Sequence, residues 1–148
     1  MVDRGPVWHG RPVDWKLEVV TVPVSDVDRA KEFYRDKVGF ALDVDHDGGG
    51  MRVVQLTPPG SACSISIGTL AIGPDTPPVK GLQLVVGDVE AARAELAGRG
   101  VDVTPVRHVG ENGWADGHGG PWNAFIFFDD PDGNSWAVQE KPAQDGQS

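Results

Sequence analysis

The chain has 148 residues, enough for one domain with a real core and too few for two large ones. Its 22 acidic against 13 basic residues give a formal charge of −9 with no Lys/Arg cluster, which argues against nucleic acid and anionic membranes as partners, because both need a concentrated positive face. A single cysteine, Cys63, cannot form an intramolecular disulfide, and no apolar run reads as a signal peptide or a membrane span, so a cytoplasmic location is expected.

Residues 1–16, with Gly5, Pro6, Gly10 and Pro12, read as an irregular arm that Trp8 and Trp15 dock onto something. Residues 17–22 form an apolar first strand that Pro23 ends. Ser25 or Asp26 then caps a helix with Val27, Ala30, Phe33, Tyr34 and Val38 on its inner face, and Gly39 stops it. Strands follow at 40–44, 51–56 and 63–67, broken by the Asp45 to Gly50 turn and by Pro58-Pro59-Gly60. A Pro-rich connection at 73–80 leads into a strand at 82–86 and a second helix, capped by Gly87 or Asp88, with Val89, Ala92 and Leu96 inward.

Residues 101–103 mirror the strand after the first helix. The Gly-rich stretch 104–123 then reads as a long loop, and loops of that length inside a compact domain are commonly lids. Strands at 124–128 and 135–140 close the fold around Asp130-Pro131-Asp132-Gly133, a type I turn by composition, and 141–148 reads as a disordered tail.

The segment Val24-Ser25-Asp26-Val27-Asp28-Arg29-Ala30 returns as Val86-Gly87-Asp88-Val89-Glu90-Ala91-Ala92, a shift of 62 residues, and each copy follows an apolar strand. The chain therefore reads as one domain, 17–140, made of two similar modules at 17–73 and 81–140, with a groove between their sheets suited to a small ligand.

Taken with the closing Phe128-Asp129-Asp130-Pro131-Asp132-Gly133-Asn134, this order resembles the vicinal oxygen chelate superfamily, the group of glyoxalase I, bleomycin-resistance proteins, fosfomycin-resistance enzymes and extradiol dioxygenases. The resemblance runs from about Leu17 to Glu140. It implies an α+β fold of paired βαβββ modules forming a cupped mixed sheet, and a homodimer. It also implies a divalent ion held by His, Glu or Gln from strands facing the cup. The first such position lies seven residues before the helix-opening aspartate, which here is Val19, with Gly81 as its repeat; the acidic position of the last strand is Ala137. None of the three can coordinate a cation, and the fourth falls near Gln55 or Ser64. No metal and no cofactor is expected.

Residues two apart on a strand share a face. If Val19, Gly81 and Ala137 line the cup, so do Leu17, Thr21, Gln83, Val85, Ser135 and Gln139, while Val20, Val22, Leu82, Leu84, Trp136 and Val138 face the core. The candidate ligand residues are thus Thr21, Gln55, Gln83 and Gln139, joined by Trp114 and Trp122 from the lid. Gln83 and Gln139 equally suit solvated strand positions, and the two tryptophans equally suit packing. His108 and His118, with Glu111 and Asp116 nearby, are the candidate general bases, since histidine alone titrates near neutrality; exposed loop residues are the plainer account of them.

The leading expectation is a small-molecule binding protein of the glyoxalase and bleomycin-resistance type lacking the usual metal. The alternatives are a metal-free isomerase, lyase or hydrolase using a lid histidine, and a metal-dependent lyase or dioxygenase with displaced ligands. No nucleophile elbow, phosphate loop or dinucleotide fingerprint is present.

Overall fold

Two aspartates start the two helices. Asp26 and Asp88 adopt extended backbone and accept from Arg29 N and Ala91 N at 3.1 and 3.0 Å, satisfying donors that the first turn leaves open. The computed structural model describes residues 13–68 and 75–143. Trp8 and the tail from residue 144 lie outside the described residues.

The first module runs β1 (Val19–Thr21), α1 (Val27–Glu32), a π-helical turn (Phe33–Val38), β2 (Ala41–Gly48), β3 (Met51–Thr57) and β4 (Ser64–Gly68), in a sheet ordered β1-β4-β3-β2. The second runs β5 (Leu82–Val86), α2 (Val89–Gly98), β6 (Arg107–Gly110), β7 (Gly113–Asp116), β8 (Phe125–Asp129) and β9 (Ser135–Glu140), in a sheet ordered β5-β9-β8-β6-β7. Without β7, the two orders are the same. Each module pairs its first and last strands in parallel across the helical crossover, as β1–β4 and β5–β9.

The π turn brings adjacent residues onto the core. Phe33 meets Phe128 and Tyr34 meets Trp136, with ring centroids 6.3 and 5.8 Å apart, so the end of α1 is inserted against the second sheet. Gly39 ends the turn at φ +94°, a conformation L side chains rarely adopt, and its N–H donates to the Tyr34 carbonyl at 3.0 Å. Val54, Leu56, Ile65 and Ile67 of the first sheet and Ile126, Phe128, Trp136 and Val138 of the second share one core.

The Asp130–Asn134 turn joins the modules through polar contacts. Asp130 accepts from the Tyr34 hydroxyl at 2.6 Å, Asp132 accepts from Ser25 N at 3.1 Å and from its hydroxyl at 2.5 Å, and the Asn134 amide donates to the Pro23 carbonyl at 2.7 Å. The same Asn134 accepts from Val79 N at 2.8 Å, tying down the connection between the modules.

Three expectations need correction. The stretch 104–123 is not one long loop: residues 107–116 form the β6–β7 hairpin, which adds a strand to the second sheet. Residues 101–103 are not a strand. Pro105 has no N–H for a ladder, and Thr104 makes the local link instead, its N–H donating to Phe127 O and its hydroxyl accepting from Phe127 N. The turn expected from Asp45 to Gly50 is confined to Gly49 and Gly50, because β2 continues to Gly48 in its ladder with β3.

Surface ion pairing holds β2 to α1. Arg52 donates to Asp45 at 2.8 and 3.1 Å and Lys31 at 2.5 Å, and these bonds hold the Asp45 carboxyl down at about 2. A carboxyl lowered in the folded state stabilises the fold above its ordinary value and loses that contribution as pH falls through about 4 to 2. Urea midpoints are therefore expected to fall more steeply between pH 4 and 2 in the natural protein than in Asp45→Asn; parallel declines would show the pairing to be inert.

Candidate functional site

Burial sorts each sheet into an inner face on the core and an open face away from it. On β9, Trp136 and Val138 are buried whereas Ala137 and Gln139 are partly open, and on β4 Ile65 and Ile67 point inward, opposite Ser66. The open faces carry exposed apolar side chains: Val19 is 41% exposed, Val85 50% and Trp114 54%.

On the second sheet the register sets Gln83 beside Ala137 and Ala137 beside Phe127, then Val85 beside Gln139 and Gln139 beside Phe125. The hairpin continues these rows, with Arg107 opposite Phe125 and Asp116, and Val109 opposite Trp114. The Phe125 and Phe127 rings stack 6.2 Å apart at 10°, and Trp114 stands edge-on to both at 5.3 and 5.2 Å. This aromatic floor includes two phenylalanines not singled out from the sequence. Their signal is the alternation Phe125-Ile126-Phe127-Phe128, whose odd members share the face of Gln139.

Beside the floor, the Gln83 side-chain amide donates to Gln139 Oε1 at 2.6 Å, and Gln139 Nε2 donates to the Trp122 carbonyl at 2.8 Å. Trp122 holds φ +63°, the only positive value among described non-glycine residues. Asn123 braces its loop by bonding both N–H and C=O of Val109 at 2.8 and 3.0 Å. Three candidate residues, Gln83, Gln139 and Trp122, thus form one hydrogen-bonded chain next to Trp114.

The other two lie on the first sheet. Thr21 pairs with Ser66, Ser66 with Gln55, and Gln55 with Val44, making one row across the open face. The two candidate bases are placed elsewhere. His108 pairs with Ala115 on the opposite side of the hairpin from Trp114, and its Nδ1 lies 2.9 Å from the Gly117 carbonyl. His118 lies beside α2, with Nε2 at 3.0 Å from Glu90 and Nδ1 at 3.8 Å from Glu140. Neither is brought together with the glutamines.

Two clefts stand out among the described residues. One of about 270 Å³ opens between the modules, bounded by Phe40, Pro58, Leu84, Leu96 and Arg99, and one of about 500 Å³ lies by residues 102–105 and Asp129. None of the six candidate ligand residues lines either.

Paired βαβββ sheets with such open faces define a class of scaffold, and sequence comparison names it. The sequence signature of the Glyoxalase/Bleomycin resistance protein/Dioxygenase superfamily matches residues 16–138, and the chain belongs to that family. TnmS3, an antibiotic binding protein from Streptomyces sp. CB03234, is 34% identical over 88% of this chain and 99% of its own, with a TM-score of 0.69. A glyoxalase/bleomycin resistance protein from the same organism is 35% identical over 84% and 99%, with a TM-score of 0.65. A superfamily member from Sphaerobacter thermophilus DSM 20745 is 26% identical over 86% and 98%, with a TM-score of 0.68. No curated protein sequence matches significantly.

The family resemblance implies a metal ion, and the residues at the positions it points to are poor donors. The repeat relates Thr21 and its partner Ser66 to Gln83 and its partner Ala137, so the fourth corner is Ser66, neighbour of Gln55 in the ladder. Val19, Gly81 and Ala137 offer no donor and Ser66 one neutral hydroxyl, a set no divalent ion favours. Among the described residues, no group of three or more His, Cys, Asp or Glu is placed to hold an ion. No helix among them is long and apolar enough to cross a membrane.

Proposed function

We propose that this chain is a small-molecule binding protein that sequesters a flat, largely apolar organic ligand without a metal ion and acts as a homodimer. The observation that carries this reading is the Trp114–Phe125–Phe127 floor with the Gln83–Gln139 pair at its edge. Aromatic rings supply area and stacking to a planar ligand, and a few placed amides orient it. The antibiotic-binding description of TnmS3, at 34% identity, supports a small-molecule ligand. Both sheets turn their inner faces to one shared core, so cover for an open face comes from a second copy. The two histidines, each engaged away from the floor, are left without a part in binding.

The test uses 2-methoxynaphthalene as a planar neutral probe, followed by tryptophan quenching, alongside sedimentation equilibrium. Saturable binding that survives chelators, unchanged affinity in the His108→Ala, His118→Ala double variant, and twice the chain mass are expected. Binding lost on metal stripping would overturn the metal-free reading, and a monomer would overturn the dimer.

A further inference from the structure

An unpaired cation stands in the row of residues that crosses the aromatic floor. Arg107 of β6 is opposite Phe125, and Phe125 is opposite Gln139, so the three share the open face of the second sheet. Val109, two residues along β6, and its β7 partner Trp114 are on the same face. Arg107 therefore sits on the strand between Phe125 and β7, with apolar or aromatic residues across from it and along from it.

The residue is only partly exposed, and its guanidinium has no hydrogen bond or ion pair among the described residues. The other described arginines all have one: Arg29 with Asp132, Arg35 with Asp36, Arg52 with Asp45, Arg93 with the Thr104 carbonyl and Arg99 with Glu95. Asp116 is the register partner of Arg107 on β7, but it is exposed and the two form no ion pair. Five N–H donors are thus left over beside the floor. The nearby amide is already engaged, since Gln139 uses its oxygen on Gln83 and its nitrogen on the Trp122 carbonyl. Neighbouring strands lie about 4.8 Å apart, so the backbones of Arg107 and Gln139 bracket Phe125 about 10 Å from each other, leaving room for a flat ring system between them.

We infer that Arg107 is the anion anchor of the ligand site and that the ligand is an aromatic carboxylate, its rings on Phe125 and Trp114 and its carboxylate on the guanidinium. The planar fork takes both oxygens of a carboxylate, which the point charge of a lysine does not match. A formal charge of −9 disfavours anions over the surface at large, so an unpaired guanidinium confines their capture to this face. The inference rests on the reading that a flat ligand lies on the second-sheet floor, and it adds the charge that ligand carries.

The test compares 2-naphthoate with 2-methoxynaphthalene, an uncharged analogue of similar size, by tryptophan quenching at constant ionic strength. The natural protein is expected to bind naphthoate about tenfold more tightly, the scale of charge-assisted hydrogen bonds at a partly solvated site. Arg107→Gln should bring that ratio close to one, and Arg107→Lys, which keeps the charge without the fork, should reduce it several-fold. Arg35→Gln removes the same charge from the π-helical turn and should leave the ratio in place. A ratio near one in the natural protein, with both probes bound, overturns the anchor and leaves the aromatic floor standing. So does a ratio that persists in Arg107→Gln, or one that falls equally in Arg35→Gln. If neither probe binds, the sequestering function falls and the anchor with it.

Discussion

Replacing Asp130 with Ala is expected to destabilise the protein by about 3 kcal/mol or more, because this one carboxylate serves both modules. Asp130 is buried and accepts four hydrogen bonds: from the Tyr34 hydroxyl at 2.6 Å, Asn134 N at 2.9 Å, the Asn134 amide at 2.8 Å and Asp132 N at 2.9 Å. Removing the acceptor leaves those donors without it in a region closed to water. Tyr34→Phe should cost less, about 1–3 kcal/mol, because it deprives only Asp130 and the Trp136 indole, which donates to the tyrosine oxygen at 2.9 Å. Urea unfolding with unchanged slope and lowered midpoint checks both.

The same cluster has an optical readout. Tyr34 is the only tyrosine in the chain, and burial, reinforced by Asp130, pushes its hydroxyl well above the ordinary value of 10.0. An acid raised in the folded state stabilises below its unfolded value and loses that contribution as pH rises beyond it. Tyrosinate absorbance is therefore expected only as the protein unfolds in alkali. Ionisation near pH 10 with the fold intact would contradict the buried pairing.

Trp114→Ala should weaken binding of 2-methoxynaphthalene about 30-fold, combining lost apolar contact with lost edge-to-face support of Phe125 and Phe127. Because the side chain is half exposed and β7 is an edge strand, stability should change by less than about 1 kcal/mol. This separation of binding from folding distinguishes a ligand surface from a packing residue. Unchanged affinity would move the site off the second sheet.

The scaffold is readable from the sequence because its signals are local. Asp26 and Asp88 cap helices after apolar strands, and Asp130 to Asn134 carries its own turn chemistry. The faces of β1, β5 and β9 follow from alternation, which places Thr21, Gln83 and Gln139 on open faces. The hairpin is masked although Asn112-Gly113 is a hairpin signal, since Gly110, Gly113, Gly117, Gly119 and Gly120 together read as loop composition. A bulge at Asp43 in β2 leaves no local mark: Asp43 and Asp45, two residues apart, fit an unbroken solvated strand, and only the pairing of Leu42 and Val44 reveals the inserted residue. Nor can spacing place His118 against Glu90, 28 positions away.

The one strand without a counterpart in the other half, β7, supplies the tryptophan of the floor, and its hairpin joins the sheet through a single residue pair, Arg107 with Phe125. Residues 107–116 behave as a cassette on a duplicated frame. Under the proposed binding function, substitutions there are expected to change which ligand is held while the repeated units, which share the common core, keep the frame. A library confined to those positions is then the natural route to altered binding.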